Sequence, residues 1–398
     1  MSITRTVDGR TTTWKDSKRY LWLLGLVVPL LPFGAAREAE RFGLDVFWYL
    51  GPIWVLVLIP LLDLVFGTDR SNPPEWAVKP LAADRYYRWC TYLFLPLQYL
   101  GLVYACWIVT TRDLSWYAEL GYALTVGTVA GVAINTAHEL GHKKPRSERW
   151  LARVALAQSC YGHFYVEHNR GHHNRVATPE DPASSRLGES FWRFLPRTVV
   201  GGIRSAWQLE AKRLSHRGIP VWSRHNDVLT AWAMSLVLFV GLVVAFGPRV
   251  LPFLVVQALF GLSLLEVVNY LEHYGLLRQR NEDGRYERCS PQHSWNSNHV
   301  ASNVLLYQLE RHSDHHAHPT RRFQTLRHFD ESPQLPSGYG LMLGLAYLPP
   351  LWRRVMDRRV LALYDGDVTR ANIEPSRRDR VLARYGAPGP LGVADPQG

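Results

Sequence analysis

Residues 116–144 read WYAELGYALTVGTVAGVAINTAHELGHKK, an apolar stretch followed by two histidines, His138 and His142, and two lysines. The part from Trp116 to Ala137 has about the length, roughly 20 residues, that a helix needs to cross a bilayer. The HELGH that follows is an H-E-x-x-H pattern, whose two histidines lie about 40° apart around a helix. Zinc metalloproteases use this pattern with the glutamate, here Glu139, as general base. Because so short a pattern also arises by chance, its meaning depends on the rest of the chain.

Five further stretches share the length and apolar character of this one. The six candidate membrane spans are Tyr20–Ala36, Phe47–Phe66, Cys90–Thr110, Trp116–Ala137, Val228–Phe246 and Val250–Tyr274. The first has no small-residue cleavage site behind a compact apolar core, so we interpret it as an anchor and not as a signal peptide. The pattern predicts an all-α, polytopic membrane protein with six transmembrane helices.

Basic residues near the ends of these spans predict their orientation. The N-terminal tail and the second loop are rich in lysine and arginine, whereas the opposite side has only Arg37, Arg41, Arg112 and Arg249. Both termini are therefore predicted to be cytosolic. Much of the net charge of +11 falls in two large cytosolic segments, where it would face anionic lipid or an acidic partner.

The spans divide the chain into five parts. These are the N-terminal tail with spans one to four (1–142), a cytosolic segment (143–227), spans five and six (228–276), a C-terminal cytosolic segment (277–384) and a flexible Pro/Gly tail or linker (385–398). The four cysteines show no C-x-x-C spacing, which suits free thiols in a reducing compartment and excludes a thiolate metal site within this chain.

Nine of the sixteen histidines are predicted to lie on one side of the membrane at similar depth. They are His138, His142, His168, His172, His173, His273, His312, His315 and His316. The last three fall within an arc of about 100° on a helix, so one face presents them all. A regular helix would put His168 and His173 about 140° apart, so either that helix is distorted or the two serve different metals.

Nine neutral imidazoles are too many for one ion, since zinc takes only about four ligands. Two five- or six-coordinate ions would use them all. Imidazole suits zinc, copper, iron and nickel, so the ligand type does not name the metal. The expected architecture is a mainly helical, histidine-rich cytosolic cap that holds a di-metal site on six transmembrane helices.

Three motifs, HELGHK, EHNRGHH and LERHSDHH, match the histidine boxes of the integral-membrane di-iron oxygenases and desaturases. With ATPEDPASS and NYLEHYG they resemble the bacterial alkane 1-monooxygenases over about residues 20 to 350. One departure is Glu310, where the family pattern has glutamine before RHSDHH.

The resemblance implies that the nine histidines bind two non-haem iron ions. It implies terminal hydroxylation of medium-chain n-alkanes to 1-alkanols with O2, in a bacterial inner membrane. Electrons would come from rubredoxin, which an NADH-dependent rubredoxin reductase reduces. Because this chain has no C-x-x-C pair, the rubredoxin would be a separate protein or a domain beyond the tail. Rubredoxins are typically acidic, which suits a basic cytosolic face.

An alkane dissolves in the bilayer, so we expect an apolar channel among the spans that leads to the metals. Trp54, midway along the second span, is a candidate for limiting the chain length, although it equally fits a packing or lipid-facing role. Other polar residues are candidates for orienting a ligand or pairing with Lys or Arg. These are Glu139, Glu167, Glu272, Glu310, Asp314 and His299. Glu266, within the sixth span, is expected to face the bundle interior.

Three other enzymes fit parts of the pattern: a xylene-type methyl hydroxylase, a fatty-acyl desaturase and an intramembrane H-E-x-x-H zinc protease. The protease would leave six clustered histidines unexplained. A metal transporter would carry its histidines and acids along the spans, which hold almost none here. Asp181 in PEDPASS either orders the loop under the site or marks a turn.

Overall fold

The computed structural model describes residues 1–386, so most of the predicted Pro/Gly tail, from residue 387 on, lies outside the described residues. Two strands and fifteen helices follow one another along these described residues. They are β1 (Ser2–Val7), β2 (Arg10–Lys15), α1 (Leu21–Phe42), α2 (Asp45–Phe66), α3 (Glu75–Ala83), α4 (Arg85–Thr111), α5 (Trp116–Gly141), α6 (Arg146–Ala157), α7 (164–175), α8 (Phe191–Ser215), α9 (Asp227–Phe246), α10 (Val250–His273), α11 (Val300–Leu305), α12 (His312–Ala317), α13 (Tyr339–Ala346), α14 (Pro349–Leu363) and α15 (Arg378–Tyr385). The all-α prediction is confirmed, with one antiparallel hairpin, β1–β2, added at the N-terminus.

Six helices, α1, α2, α4, α5, α9 and α10, are long and apolar enough to cross a membrane. They correspond to the six predicted spans, and the protein is a multi-pass membrane protein. The first span runs further than predicted, to Phe42, so that Arg37 and Arg41 lie within the helix. Both arginines pair with Glu38 on its exposed surface, and Gly43 ends the helix in the left-handed conformation.

The helices α5 and α10 form the centre of the bundle, and α5 is almost entirely buried. They run parallel and approach closely because glycines face each other. A Cβ on Gly127 would lie 2.7 Å from the carbonyl oxygen of Gln257, and one on Gly261 would lie 2.9 Å from Cβ of Ala130. Small residues at such positions let transmembrane helices pack backbone to backbone. The two helices therefore end together, at Gly141 and His273, and we call this end of the bundle the histidine side.

Polar helices and loops cover the histidine side and form a cap. The long helix α8 packs on α7 and α10, and α6 packs along α5. The π-helical turn His168–His172 lies inside α7, and short 3₁₀ turns lie at Pro291–His293, Phe323–Thr325, Val368–Arg370 and Pro375–Arg377. This cap brings the histidines of distant chain segments onto the ends of α5 and α10.

Candidate metal centre

The H-E-x-x-H residues close the fourth span. His138 lies in the last turn of α5 and His142 is its C-terminal capping residue. Their ring centroids are 5.2 Å apart, which confirms that one helical face presents both imidazoles. Both Nε2 atoms are buried and have no hydrogen-bond partner among the described residues.

The second histidine box depends on a local distortion of α7. The turn His168–His172 is π-helical, and the N–H of His173 bonds to the carbonyl of His168, five residues earlier. A π turn holds more residues than an α turn, so it rotates His173 back toward His168. Their Nε2 atoms lie 3.2 Å apart. Of the two alternatives raised by the sequence, the structure has the distorted helix.

The third box divides between two places. His315 points toward His173, with 3.1 Å between the Nε2 atoms. His312 and His316, one turn apart on the other edge of α12, have their Nε2 atoms 2.8 Å from each other. One short helix thus serves both halves of the site, because its three histidines spread around the same buried face.

All nine histidines converge in two adjacent groups. The five-histidine group consists of His138, His142, His168, His173 and His315, and the four-histidine group of His172, His273, His312 and His316. Within each group the ligating atoms lie within 4.8 Å of one another. The rings of His173 and His316 are 4.5 Å apart, so the two groups are in contact.

The two groups fit the binding of two metal ions. Two nitrogens at right angles on one ion, with bonds of about 2.1 Å, lie about 3.0 Å apart, which matches the short Nε2 distances above. Buried polar atoms without partners are rare in folded proteins. His172 and His273 each have such an Nε2 atom, as do His138 and His142 in the other group. A metal ion in each group would satisfy these atoms.

The electrostatics of the cap keep most of these imidazoles neutral, as ligation requires. Burial, reinforced by neighbouring histidines, holds the pKa well below the usual value at His142, His168, His173, His312, His315 and His316. His172 differs. Burial opposes its charged form, but the Asp181 carboxylate outweighs this and raises its pKa.

Asp181 orients His172 directly. Its Oδ2 lies 2.9 Å from Nδ1 of His172 and accepts a 2.6 Å hydrogen bond from Ser184. A proton on Nδ1 leaves Nε2 free to bind metal, which is the usual role of a carboxylate behind a ligating histidine. The sequence interpretation limited Asp181 to ordering the loop or marking a turn. The available signal was its position in PEDPASS, just after the second box.

Two further groups reach the four-histidine group. The backbone carbonyl of His293 lies 3.2 Å from Nδ1 of His273, a contact for which the sequence carries no signal. Glu272, a candidate from the sequence, has Oε1 3.2 Å from Nδ1 of His312 and accepts a 2.8 Å hydrogen bond from the Tyr339 hydroxyl.

The other sequence candidates have partners away from the imidazoles. Glu139 forms a buried 3.0 Å ion pair with Lys143, one of the two roles expected for it. Of the remaining four, Glu167 binds Arg175 and Ser205, and Glu310 binds Asn303 and the N–H of Tyr339. Asp314 binds Arg321 and the N–H of Arg327, and His299 binds Ser297. Among the described residues, none of these four forms a hydrogen bond with a clustered histidine.

The departure at Glu310 has a physical explanation. Burial, together with the nearby charge of Asp63, raises the pKa of Glu310 to about 8. The raised pKa favours the protonated, uncharged form of this carboxyl. In charge and shape this group is close to the glutamine of the family pattern.

An apolar cavity of ≈ 50 Å³ lies among the spans beside the metal centre. Its walls include Val28, Trp54, Ile59, Val132, Asn135, Leu264, Val268, Leu309, Gly340 and Leu343. Asn135 lies one turn before His138, so the cavity ends close to the five-histidine group. Trp54 lines the cavity at the start of a π-helical turn in α2. Glu266 faces the bundle interior as expected and is bound by Tyr161 and Thr198.

Comparison with known proteins agrees with this geometry. The fatty acid desaturase family model matches residues 114–344. The chain is 47% identical to an alkane 1-monooxygenase of Acinetobacter baylyi over 94% of its own length and 93% of the relative. It is 47% identical to an alkane 1-monooxygenase of Pseudomonas putida over 93% and 92%.

A more distant relative is a different type of monooxygenase. The chain is 29% identical to the xylene/toluene monooxygenase hydroxylase component of Pseudomonas putida, over 81% of its own length and 86% of the relative. The two alkane 1-monooxygenases above are much more similar to the chain and cover more of it. The protein belongs to the alkane 1-monooxygenase family, whose similarity to it spans the segment that the fatty acid desaturase model matches.

Proposed function

We propose that the protein hydroxylates the terminal carbon of medium-chain n-alkanes to 1-alkanols, using O2 at a non-haem di-iron centre. The observation that carries this proposal is the pair of all-histidine groups beside the end of an apolar cavity. The five-histidine group would hold one iron ion and the four-histidine group the other. Similarity to alkane 1-monooxygenases over nearly the whole chain supports the same reaction.

The substrate explains why a metal is needed. A terminal C–H bond offers nothing for an acid, a base or a nucleophile to act on. Bound iron would supply the redox chemistry by which one atom of O2 enters the C–H bond and the other leaves as water, with two electrons and two protons consumed. The side chains bind and position. The apolar walls exclude water and aim the methyl group at the histidines, while Asp181 keeps the proton of His172 on Nδ1.

We further propose that the electrons come from rubredoxin, reduced by an NADH-dependent rubredoxin reductase. An arginine-rich pocket on the histidine side supports an acidic donor. It is lined by Arg146, Arg149, Arg153, Arg170, Arg213, Arg217 and Arg224 together with Tyr165. Tyr165 packs 3.6 Å from the Cβ position of Gly141, the residue before His142, so the pocket lies close to the metal groups. The basic N-terminal tail supports cytosolic termini in a bacterial inner membrane.

The test combines metal content with turnover. Purified protein should contain about two iron ions per chain and convert octane to 1-octanol with O2, rubredoxin, its reductase and NADH. One zinc per chain and no oxygen uptake would instead favour the zinc protease. That alternative is weakened by Glu139, because both oxygens of its carboxylate already have partners, Lys143 and the N–H of Phe323.

The chain-length range is expected to depend on Trp54. Replacing it with alanine (Trp54→Ala) removes an indole from the cavity wall, so longer alkanes should fit. We expect the ratio of dodecane to octane turnover to rise by about tenfold, the effect of small volume changes in an apolar pocket. Product analysis by gas chromatography measures it. Trp107→Ala, on the exposed surface of α4, is the matched control. An unchanged ratio in Trp54→Ala would show that this residue only packs.

A further inference from the structure

The hairpin formed by α13 and the start of α14 packs along two membrane spans. At one end the Tyr339 hydroxyl donates to Glu272, in the last turn of α10. At the other end the Tyr347 hydroxyl lies 3.0 Å from Oγ of Ser263. From Tyr339 to Tyr347 a helix rises about 12 Å, and from Ser263 to Glu272 it rises about 13.5 Å. The two contacts are therefore separated by nearly the same length along both helices. The helix α13 therefore runs antiparallel to α10, from the histidine side toward the middle of the bundle.

A second span confirms this depth. A Cβ on Gly340 would lie 2.8 Å from Cδ of Pro60 and 2.9 Å from the carbonyl oxygen of Val55, both in α2. Farther along, Gly344 approaches Leu56. On the outer face of α2, Leu61 and Leu64 are exposed at this level, and such apolar side chains on a membrane span face lipid. The helix α13 thus shares the depth of a lipid-facing part of a span.

The hairpin exposes leucines at this depth. Leu341, Leu348 and Leu351 are 44%, 52% and 46% exposed, and the turn between the helices is Tyr347-Leu348, followed by Pro349 and Pro350 in the first turn of α14. The stretch 337–352, SGYGLMLGLAYLPPLW, contains no charged residue, and Arg353 and Arg354 follow it directly. Exposed apolar residues on an uncharged segment that is followed by arginines are typical of segments that enter the headgroup and acyl region. The exposed Trp192 donates from Nε1 to the carbonyl of Tyr347 and so packs against the turn of the hairpin.

We propose that the segment 339–352 is a re-entrant hairpin inserted into the leaflet on the histidine side, with acyl chains covering its leucines. This refines the sequence prediction, in which 277–384 was cytosolic throughout. The hairpin also forms part of the cavity wall, since Gly340 and Leu343 line it together with Ile59 of α2 and Leu264 of α10. One helix face thus touches lipid and the other lines the cavity. The second statement, that Leu343 helps to set alkane fit, rests on the proposed function, whereas the insertion does not.

Insertion is tested on the full chain in phosphatidylcholine and phosphatidylglycerol vesicles. Single cysteines are introduced at Leu348, at lipid-facing Leu236 of α9 and at His216, which is exposed at the end of α8, after Cys160 and Cys289 have been replaced by serine. Each carries a bimane label. We expect Leu348→Cys to be quenched by nitroxide-labelled lipid to within about twofold of Leu236→Cys, and to resist aqueous iodide. Iodide quenching equal to that of His216→Cys, without lipid quenching, would overturn the insertion.

The cavity wall is tested separately. Leu343→Trp should lower dodecane turnover by about tenfold relative to octane, because it narrows the cavity. Leu341→Trp, on the lipid side of the same helix, should leave the ratio unchanged. Equal ratios in both variants would overturn the role of Leu343. If nitroxide-labelled lipid quenches the bimane at position 348 but the protein oxidises no alkane, the proposed function is contradicted and the proposed insertion is still supported.

Discussion

The His312→Ala variant is expected to lose octane hydroxylation by more than about 100-fold, since loss of a metal ligand costs more than loss of a residue behind one. Removal of this imidazole leaves three histidines in the four-histidine group, and His316 loses the neighbour whose Nε2 lies 2.8 Å away. Iron content should fall from about two ions per chain to about one. The change is measured by elemental mass spectrometry of the purified variant, together with 1-octanol formation.

A matched variant on the same helix sharpens this result. His315→Ala leaves four ligands in the five-histidine group, so we expect it to retain more iron than His312→Ala. His216→Ala changes an exposed histidine outside the metal centre, so it controls for loss of iron or activity during purification. If His312→Ala keeps both its iron and its activity, the assignment of the four-histidine group as an iron site is wrong. The difference in iron content between His312→Ala and His315→Ala tests the division of the nine histidines into groups of five and four.

The sequence predicted the spans and the clustering because both depend on local patterns. Apolar runs of bilayer length define α5 and α10, and the positive-inside rule puts their histidine ends on one side. The i,i+4 spacing of His138 and His142 is a property of any helix. Such features do not depend on tertiary structure, so the sequence alone predicts them.

The division of the nine histidines could not be predicted, because it depends on tertiary geometry. His173 joins His168 only because the backbone between them is π-helical, and nothing in HNRGH specifies this. His315 and His316 are neighbours in sequence but belong to different groups, since their helix, α12, lies between the two groups. The carbonyl of His293 is a backbone contact that no side-chain pattern marks. The membrane depth of α13 likewise follows from packing, since its eight residues are too few to be recognised as a span.

The second large effect is expected at Asp181, which belongs to neither histidine group but contacts His172. In Asp181→Asn the side chain can offer an N–H to Nδ1 of His172 in place of a carboxylate oxygen. The imidazole would then carry its proton on Nε2, the atom that is otherwise free to bind metal. We expect metal affinity in the four-histidine group to fall by about 10–100-fold, as for other carboxylates behind ligating histidines.

Ser184→Ala separates this tautomer effect from simple loosening of the loop. It removes the 2.6 Å hydrogen bond to Asp181 but keeps the carboxylate beside His172. Iron retention during dialysis against a chelator measures both variants, and circular dichroism confirms that each is folded. A large loss in Asp181→Asn with a small one in Ser184→Ala means that the carboxylate acts by fixing the proton on Nδ1. Equal losses would contradict that role, because they would mean that Asp181 matters only for the shape of the loop.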